Sequence, residues 1–180
     1  MEDAAFKELV TERCVIRRLL ASDVEGFVAY RNDPEVARYQ GWELPYTLEA
    51  GNKLAAELAQ RGPGRAGEWF QFAVLCDGEH IGDCALRCDD DPRTAELGFT
   101  VAKKHQNQGF GKEMASAVLV YAFETLKIRR VAAIIDDRNV PAKKLLEALD
   151  FQLEGHLREN VYSRGEWTSE LIFAKLRHDR

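Results

Sequence analysis

The segment Gln106-Asn107-Gln108-Gly109-Phe110-Gly111-Lys112 constrains this chain more than any other. It lies between a strand-like run, Ala95–Val101, and an amphipathic stretch to about Leu126 in which Met114, Ala117, Val118 and Tyr121 fit a 3.6-residue period. Glycine lets a backbone turn tightly and lets a ligand approach its amides with no Cβ in the way. A helix that starts straight after such a turn has first amides without an internal partner, and its dipole favours an anion there. Lys103, Lys104 and Lys112 add positive charge with no acid between them. The segment reads as an anion cradle, although the glycines alone also suit a plain strand-to-helix turn.

Composition narrows the setting. The chain has 180 residues, with 25 Lys+Arg against 30 Asp+Glu and a net charge of −5. That length suits one domain over residues 1–180, able to bury roughly 70% of its unfolded surface without a metal or disulfide staple. At 46% hydrophobic and 31% charged it is neither disordered nor fibrous. The longest apolar run, Ala117–Phe123, is too short to cross a membrane. The acidic start, MEDAAFKELV, lacks the pattern of a signal peptide, so a cytoplasmic protein with no membrane partner is expected. No basic cluster is large enough to expect a nucleic-acid partner. Cys14, Cys76, Cys84 and Cys88 form no CxxC pair and have no His at zinc-ligand spacing; reduced structural thiols and no metal are expected.

Periodicity and turn chemistry give the order β α α β β β α β α β β. Leu9–Leu19 reads as one strand. Ser22-Asp23-Val24-Glu25 has the form of a capping box opening a helix that Asp33-Pro34 stops. Thr47 caps a second helix with Leu48, Ala55 and Leu58 facing inward. Trp69–Cys76 and Ile81–Cys88 flank an Asp77-Gly78 hairpin turn, and Asp89-Asp90-Asp91-Pro92 makes the next turn. Val131–Ile135 is a strand covered on both faces, and Asn139 caps a helix with Leu145, Leu146 and Leu149 as its buried stripe. Phe151–Tyr162 and Trp167–Leu176 are the last strands. Interleaved helices and hairpins call for a mixed α/β sheet with helices on its faces.

A dinucleotide fingerprint would need glycine at Met114, and a P-loop would need glycine at Gln106 with Ser or Thr at Glu113. Gln106, Gly109 and Gly111 instead fit the Gln-x-x-Gly-x-Gly turn that holds the pyrophosphate of coenzyme A. With Glu96-Leu97-Gly98-Phe99-Thr100-Val101 upstream, and Asp137-Arg138-Asn139 and Leu145–Phe151 downstream, the segment resembles the GNAT superfamily of N-acetyltransferases. The ending EGHLRENVYSRGEWTSELIFAKL is similar to its RimJ/RimL-like branch, named for enzymes that acetylate ribosomal-protein N-termini. The resemblance spans roughly Val10 to Leu176.

It implies a bent mixed sheet of about seven strands flanked by about four helices, splayed between the fourth and fifth strands, with acetyl-CoA in the gap. By the same resemblance Phe99, Thr100 and Val101 offer backbone hydrogen bonds to the pantetheine arm. Gln106, Asn107, Gln108, Gly109, Phe110, Gly111 and Lys112 surround the pyrophosphate, and Asn139 reaches the pantetheine while also capping its helix. The resemblance places the acceptor cleft against the front half, where Arg38-Tyr39-Gln40-Gly41-Trp42, Tyr46 and Trp69 lie; these aromatics suit cleft wall or core, and at least one is expected to line the cleft.

Acetyl transfer to an amine needs a neutral nitrogen, an oriented thioester, a stabilised oxyanion and a proton for the departing thiolate. An α-amine is roughly one-tenth neutral at pH 7, and a lysine amine about one part in 2,500. Glu96 is the leading general base, since strand alternation puts it on the face of Gly98 and Thr100; pairing with Arg87 or Arg93 is the plainer reading. The family's acid is missing: Leu146 stands where many GNAT enzymes have Tyr, and Ala142 where the RimJ/RimL-like branch often has Ser. Tyr162 or a water is the expected substitute, Tyr162 otherwise being a half-buried strand aromatic. The expected activity is acetyl transfer to a protein N-terminus or a small amine. A non-catalytic acyl-CoA sensor of the same fold is the alternative, and a homodimer is compatible with either.

Overall fold

The computed structural model describes residues 2–91 and 93–179. Pro92 of the acidic turn lies outside the described residues. The branched N-terminal run forms two strands rather than one, β1 (Glu8–Val10) and β2 (Cys14–Arg18). Polar Thr11-Glu12-Arg13 makes the turn between them: the Thr11 amide donates to the Cys14 carbonyl at 2.9 Å, and the Thr11 hydroxyl oxygen accepts from the Cys14 amide at 2.9 Å. Helix α1 (Val24–Arg31) follows, but the Ser22/Glu25 capping box does not form. The Asp23 carboxylate reaches back instead, accepting from the Leu20 amide at 2.8 Å and from both terminal nitrogens of Arg17. Asp33 stops α1 and caps the short α2 (Pro34–Ala37) by accepting from the Glu35 amide.

Thr47 caps α3 (Leu48–Ala59), which buries Ala55 and Leu58. Leu48, expected to face inward, is exposed in its first turn. Strands β3 (Trp69–Cys76) and β4 (Glu79–Cys88) form the expected hairpin, with Asp77 and Gly78 both at positive φ. Then come β5 (Thr94–Val101), α4 (Phe110–Glu124), β6 (Arg130–Asp136), α5 (Val140–Ala148), β7 (Gln152–Ser163) and β8 (Glu166–Leu176).

The eight strands make one mixed sheet in the order β1-β2-β3-β4-β5-β6-β8-β7, antiparallel at every seam except β5–β6. This is the mixed α/β fold expected, with eight strands and five helices instead of seven and four. The extra hairpin strand and the short α2 account for the difference, and they move the anticipated opening to the seam between the fifth and sixth strands. The core lies between sheet and helices, where Ile16, Phe27, Leu58, Phe72, Met114 and Leu146 are fully buried. All four cysteine thiols are free, and Cys14, Cys84 and Cys88 are buried. No helix among the described residues is long and apolar enough to cross a membrane.

Candidate active site

The site begins where the parallel seam ends. β5 pairs with β6 only at Thr94↔Arg130, Ala95↔Val131 and Glu96↔Ala132, while its pairing with β4 runs on to Val101, opposite Gly82. Backbone bonds alternate sides along an antiparallel ladder. The Asp89 amide donates to the Thr94 carbonyl and the Ala102 amide to the Ile81 carbonyl, so even-numbered residues of β5 turn toward β4. Thr100 therefore spends its backbone groups on β4. Phe99 and Val101 turn theirs into the gap that β6 has left. The Val101 carbonyl is taken by the Gln106 side-chain amide at 3.0 Å.

The glycine turn closes one end of this gap. Gly109 caps α4 at φ 84°, a left-handed conformation that costs glycine little, and Asn107 also has positive φ. An unanticipated clasp from the β1–β2 turn holds it. Arg13 donates through Nη1 to the Gln108 carbonyl at 3.0 Å and through Nε to Glu113 Oε2 at 2.7 Å. The other Glu113 oxygen accepts from the Arg13 amide at 2.8 Å and the Thr11 hydroxyl at 2.6 Å. A Cβ on Gly109 would meet Arg13 Nη2 at 3.3 Å. Of the three lysines, Lys103 pairs with Glu35 and Lys104 with Glu79; Lys112 has no ion-pair partner among the described residues.

A cleft of about 360 Å³ lies between this turn, the free edge of β5 and the start of α5. Phe99, Thr100, Val101, Gln106, Asn107, Gly109, Gly111, Lys112 and Asn139 all line it. Gln108 and Phe110 do not. The Gln108 side chain donates to the Lys104 carbonyl, and Phe110 is buried edge-on to His105 beneath the Arg13 guanidinium. Asn139 caps α5 by accepting from the Ala142 amide at 3.2 Å; its own NH₂ makes no hydrogen bond among the described residues. The free backbone edge, the two glycines of the turn and Lys112 fit the polar arm and diphosphate of coenzyme A.

A second cleft, about 380 Å³, opens on the other side of the splay. Glu96, Gly98 and Trp69 line its sheet side, and Arg38, Tyr39, Gln40 and Gly41, the turn that follows α2, make its helical wall. Tyr39 and Gln40 line both clefts, so the two meet there. Burial lifts the Glu96 carboxyl above the ordinary glutamate range; Arg87 opposes this, while Asp89 and Glu170 add to it. Arg87 Nη2 donates to Glu96 Oε2 at 2.8 Å. Tyr162 lies apart from the other predicted residues. Its neighbours Val161 and Ser163 line the second cleft, whereas Tyr162 points to the opposite face, 63% exposed against Trp167. Of the front-half aromatics Tyr39 and Trp69 line the cleft, as expected of at least one of them, while Trp42 and Tyr46 enclose Arg31: its guanidinium lies 4.1 Å from the Trp42 ring and 5.0 Å from the Tyr46 ring. Leu146 is fully buried, and Ala142 brings no hydroxyl to the first cleft.

A mixed sheet opened along its one parallel seam, with a glycine turn at a helix start beside the opening, defines the acetyltransferase class. The sequence signature described as acetyltransferase (GNAT) domain matches residues 13–152, and the chain belongs to that family of N-acetyltransferases. It is 29% identical to the N-acetyltransferase p20 of Bacillus licheniformis, over 97% of this chain and 98% of that protein. A GNAT-family acetyltransferase from Bacillus anthracis superposes with a TM-score of 0.81 at 25% identity, covering 96% of this chain and 99% of that one. RimL, a ribosomal L7/L12 α-N-protein acetyltransferase solved with coenzyme A, shares the fold alone: TM-score 0.81, 18% identity, over 93% of this chain and 96% of that one.

Proposed function

We propose that residues 1–180 act as a single acetyltransferase domain that moves the acetyl group of acetyl-CoA to a primary amine, by direct attack within a ternary complex. The observation that carries this reading is the meeting of the two clefts. One strand, β5, presents Glu96 and Gly98 to one cleft and Phe99–Val101 to the other, and Tyr39 and Gln40 wall both. A donor held along Phe99–Val101 and an acceptor beside Glu96 would be neighbours, so much of the rate comes from positioning.

Acetyl-CoA supplies an activated thioester. The protein's residues do the rest. Lys112 and the first amides of α4 hold the diphosphate, and the Phe99 backbone, the Val101 amide and the Asn139 NH₂ hold the pantetheine arm. Glu96, ionised, takes the proton from the acceptor ammonium directly or through a water, and its raised pKa suits that task. Tyr39 brings a phenol to the wall shared by both clefts and returns a proton to the leaving sulfur, a role that neither Leu146 nor Ala142 can fill. Two protons leave the nitrogen as the ammonium becomes an amide: Glu96 takes the first and passes it to solvent, and the second leaves the tetrahedral adduct and offsets the proton that Tyr39 gives to sulfur, so the reaction releases one proton in all.

The test is thiol release from acetyl-CoA over a panel of amines and free-N-terminal peptides. Acceptor-dependent release supports the transferase. Tight acetyl-CoA binding with no release on any amine identifies the sensor instead.

A further inference from the structure

The second cleft carries a charge pattern that its own residues do not cancel. Asp136 is held by Arg138 through two bonds, Nε to Oδ1 at 2.9 Å and Nη2 to Oδ2 at 2.7 Å, and the same guanidinium reaches Glu166 at 2.9 Å. Glu96 is paired with Arg87. Arg164, at the tip of the β7–β8 hairpin, donates to the carbonyls of Ala37 and Gln40 at 2.8 and 3.1 Å, tying the sheet wall to the helical wall across the rim.

Two charges remain. Glu170 accepts a neutral amide, from Asn160 at 2.5 Å, and has no basic partner among the described residues. It sits opposite Asp136 in the β6–β8 register and is close enough to Glu96 to push that carboxyl upward. On the helical wall, Arg38 makes no hydrogen bond or ion pair among the described residues, and its guanidinium rests 5.2 Å from the Tyr39 ring centroid. With the Arg164 donors committed to the rim, one carboxylate and one guanidinium keep hydrogen-bonding capacity to spare, and the cleft is complementary to a molecule with one charge of each sign.

We infer that the acceptor is a small primary amine that also carries a carboxylate, an amino-acid-like zwitterion. This rests on the transferase reading above and narrows its acceptor. The ammonium lies toward Glu170 and Glu96, and the carboxylate is read by Arg38, whose planar fork matches carboxylate geometry. A polyamine would find one unpaired carboxylate and a repelling guanidinium. The Arg164 tie and the cleft volume of about 380 Å³ favour a small acceptor over an extended chain.

The experiment compares α-amino acids, their carboxamides and putrescine as acceptors, by thiol release, in the full chain and in Arg38→Gln and Arg38→Lys. Calorimetry of acetyl-CoA, and of each amine onto the coenzyme-A-loaded protein, runs alongside. The expected result is a kcat/KM preference for acid over carboxamide of about 10- to 100-fold, the scale of a charged hydrogen-bond pair. Arg38→Gln brings that ratio to about one and Arg38→Lys restores part of it. Equal or better use of carboxamides or putrescine overturns the inference, as does a ratio unmoved by Arg38→Gln. So does failure of every amino acid to bind the loaded protein. Loss of acetyl-CoA binding itself strikes the earlier reading instead, and the calorimetry separates the two.

Discussion

Glu96 stands opposite Ala132 in the last register pair before β5 and β6 part. The carboxylate proposed as the base thus sits at the fork of the sheet, where one strand still has its neighbour and the next residues do not. The ladders on both sides fix the Glu96 backbone, and the Arg87 hydrogen bond at 2.8 Å holds its carboxylate. Beyond that pair the freed edge, from Phe99 on, borders the first cleft.

Glu96→Gln keeps the shape and removes the base. The expected loss in kcat/KM with a good acceptor is about 10²- to 10⁴-fold. In the wild type, activity falls as pH drops through the Glu96 pKa, because only the ionised form accepts a proton. Burial places that acid limb above the ordinary glutamate value of 4.5. The variant lacks the limb. A pH–rate profile identical to the wild type would remove Glu96 from the mechanism.

Arg13→Ala releases the clasp on the glycine turn without touching either cleft wall. The acetyl-CoA Kd is expected to rise roughly threefold to tenfold, modest because Arg13 is partly solvent-screened. The acceptor KM should stay within about twofold, since the clasp is remote from Glu96. Calorimetry and steady-state rates check the two halves.

Gly109→Ala forces a Cβ into a left-handed position, at a cost of about 1–2 kcal/mol, and toward Arg13 Nη2 at 3.3 Å. Both a lower Tm and weaker acetyl-CoA binding are expected. Wild-type values for both would mean that the turn has no need of glycine.

Asp83 is 2% exposed and accepts from the Tyr30 hydroxyl and the Gln71 amide, with Arg31 Nη2 at 3.6 Å. Asp83→Ala leaves the Arg31 charge buried without its carboxylate, which costs about 3–5 kcal/mol. Chemical denaturation measures this. A loss under about 1 kcal/mol would show that water or the Phe27, Trp42 and Tyr46 rings already compensate Arg31.

Local signals in the sequence were read well where one residue type decides. Asp77-Gly78 had to turn, Asn139 and Thr47 had to cap, and the glycines before Lys112 had to open α4. Misreadings arose where a distant partner decides. Asp23 is drawn from the helix start by Arg17, which displaces the Ser22/Glu25 box. Thr11, Glu12 and Arg13 lie inside a branched run, yet Thr11 bonds back to Cys14 and splits it. The Arg13–Glu113 clasp spans about one hundred residues and leaves no periodic trace. The Arg164 tie likewise shows in the sequence only as a turn. Tyr162 and Tyr39 differ in which face their elements present, and only the register of β7 against β8 and the course of the chain after α2 settle that.

Amide hydrogen exchange, resolved at single residues of β5 with and without acetyl-CoA, reads whether the open edge of that strand takes the pantetheine arm. Phe99 and Val101 turn their N–H groups into the gap, so both should exchange quickly in the free protein and become strongly protected when acetyl-CoA is added. Thr100, already bonded toward β4, should be protected in both states. Unchanged fast exchange at Phe99 and Val101 in saturating acetyl-CoA would contradict the account.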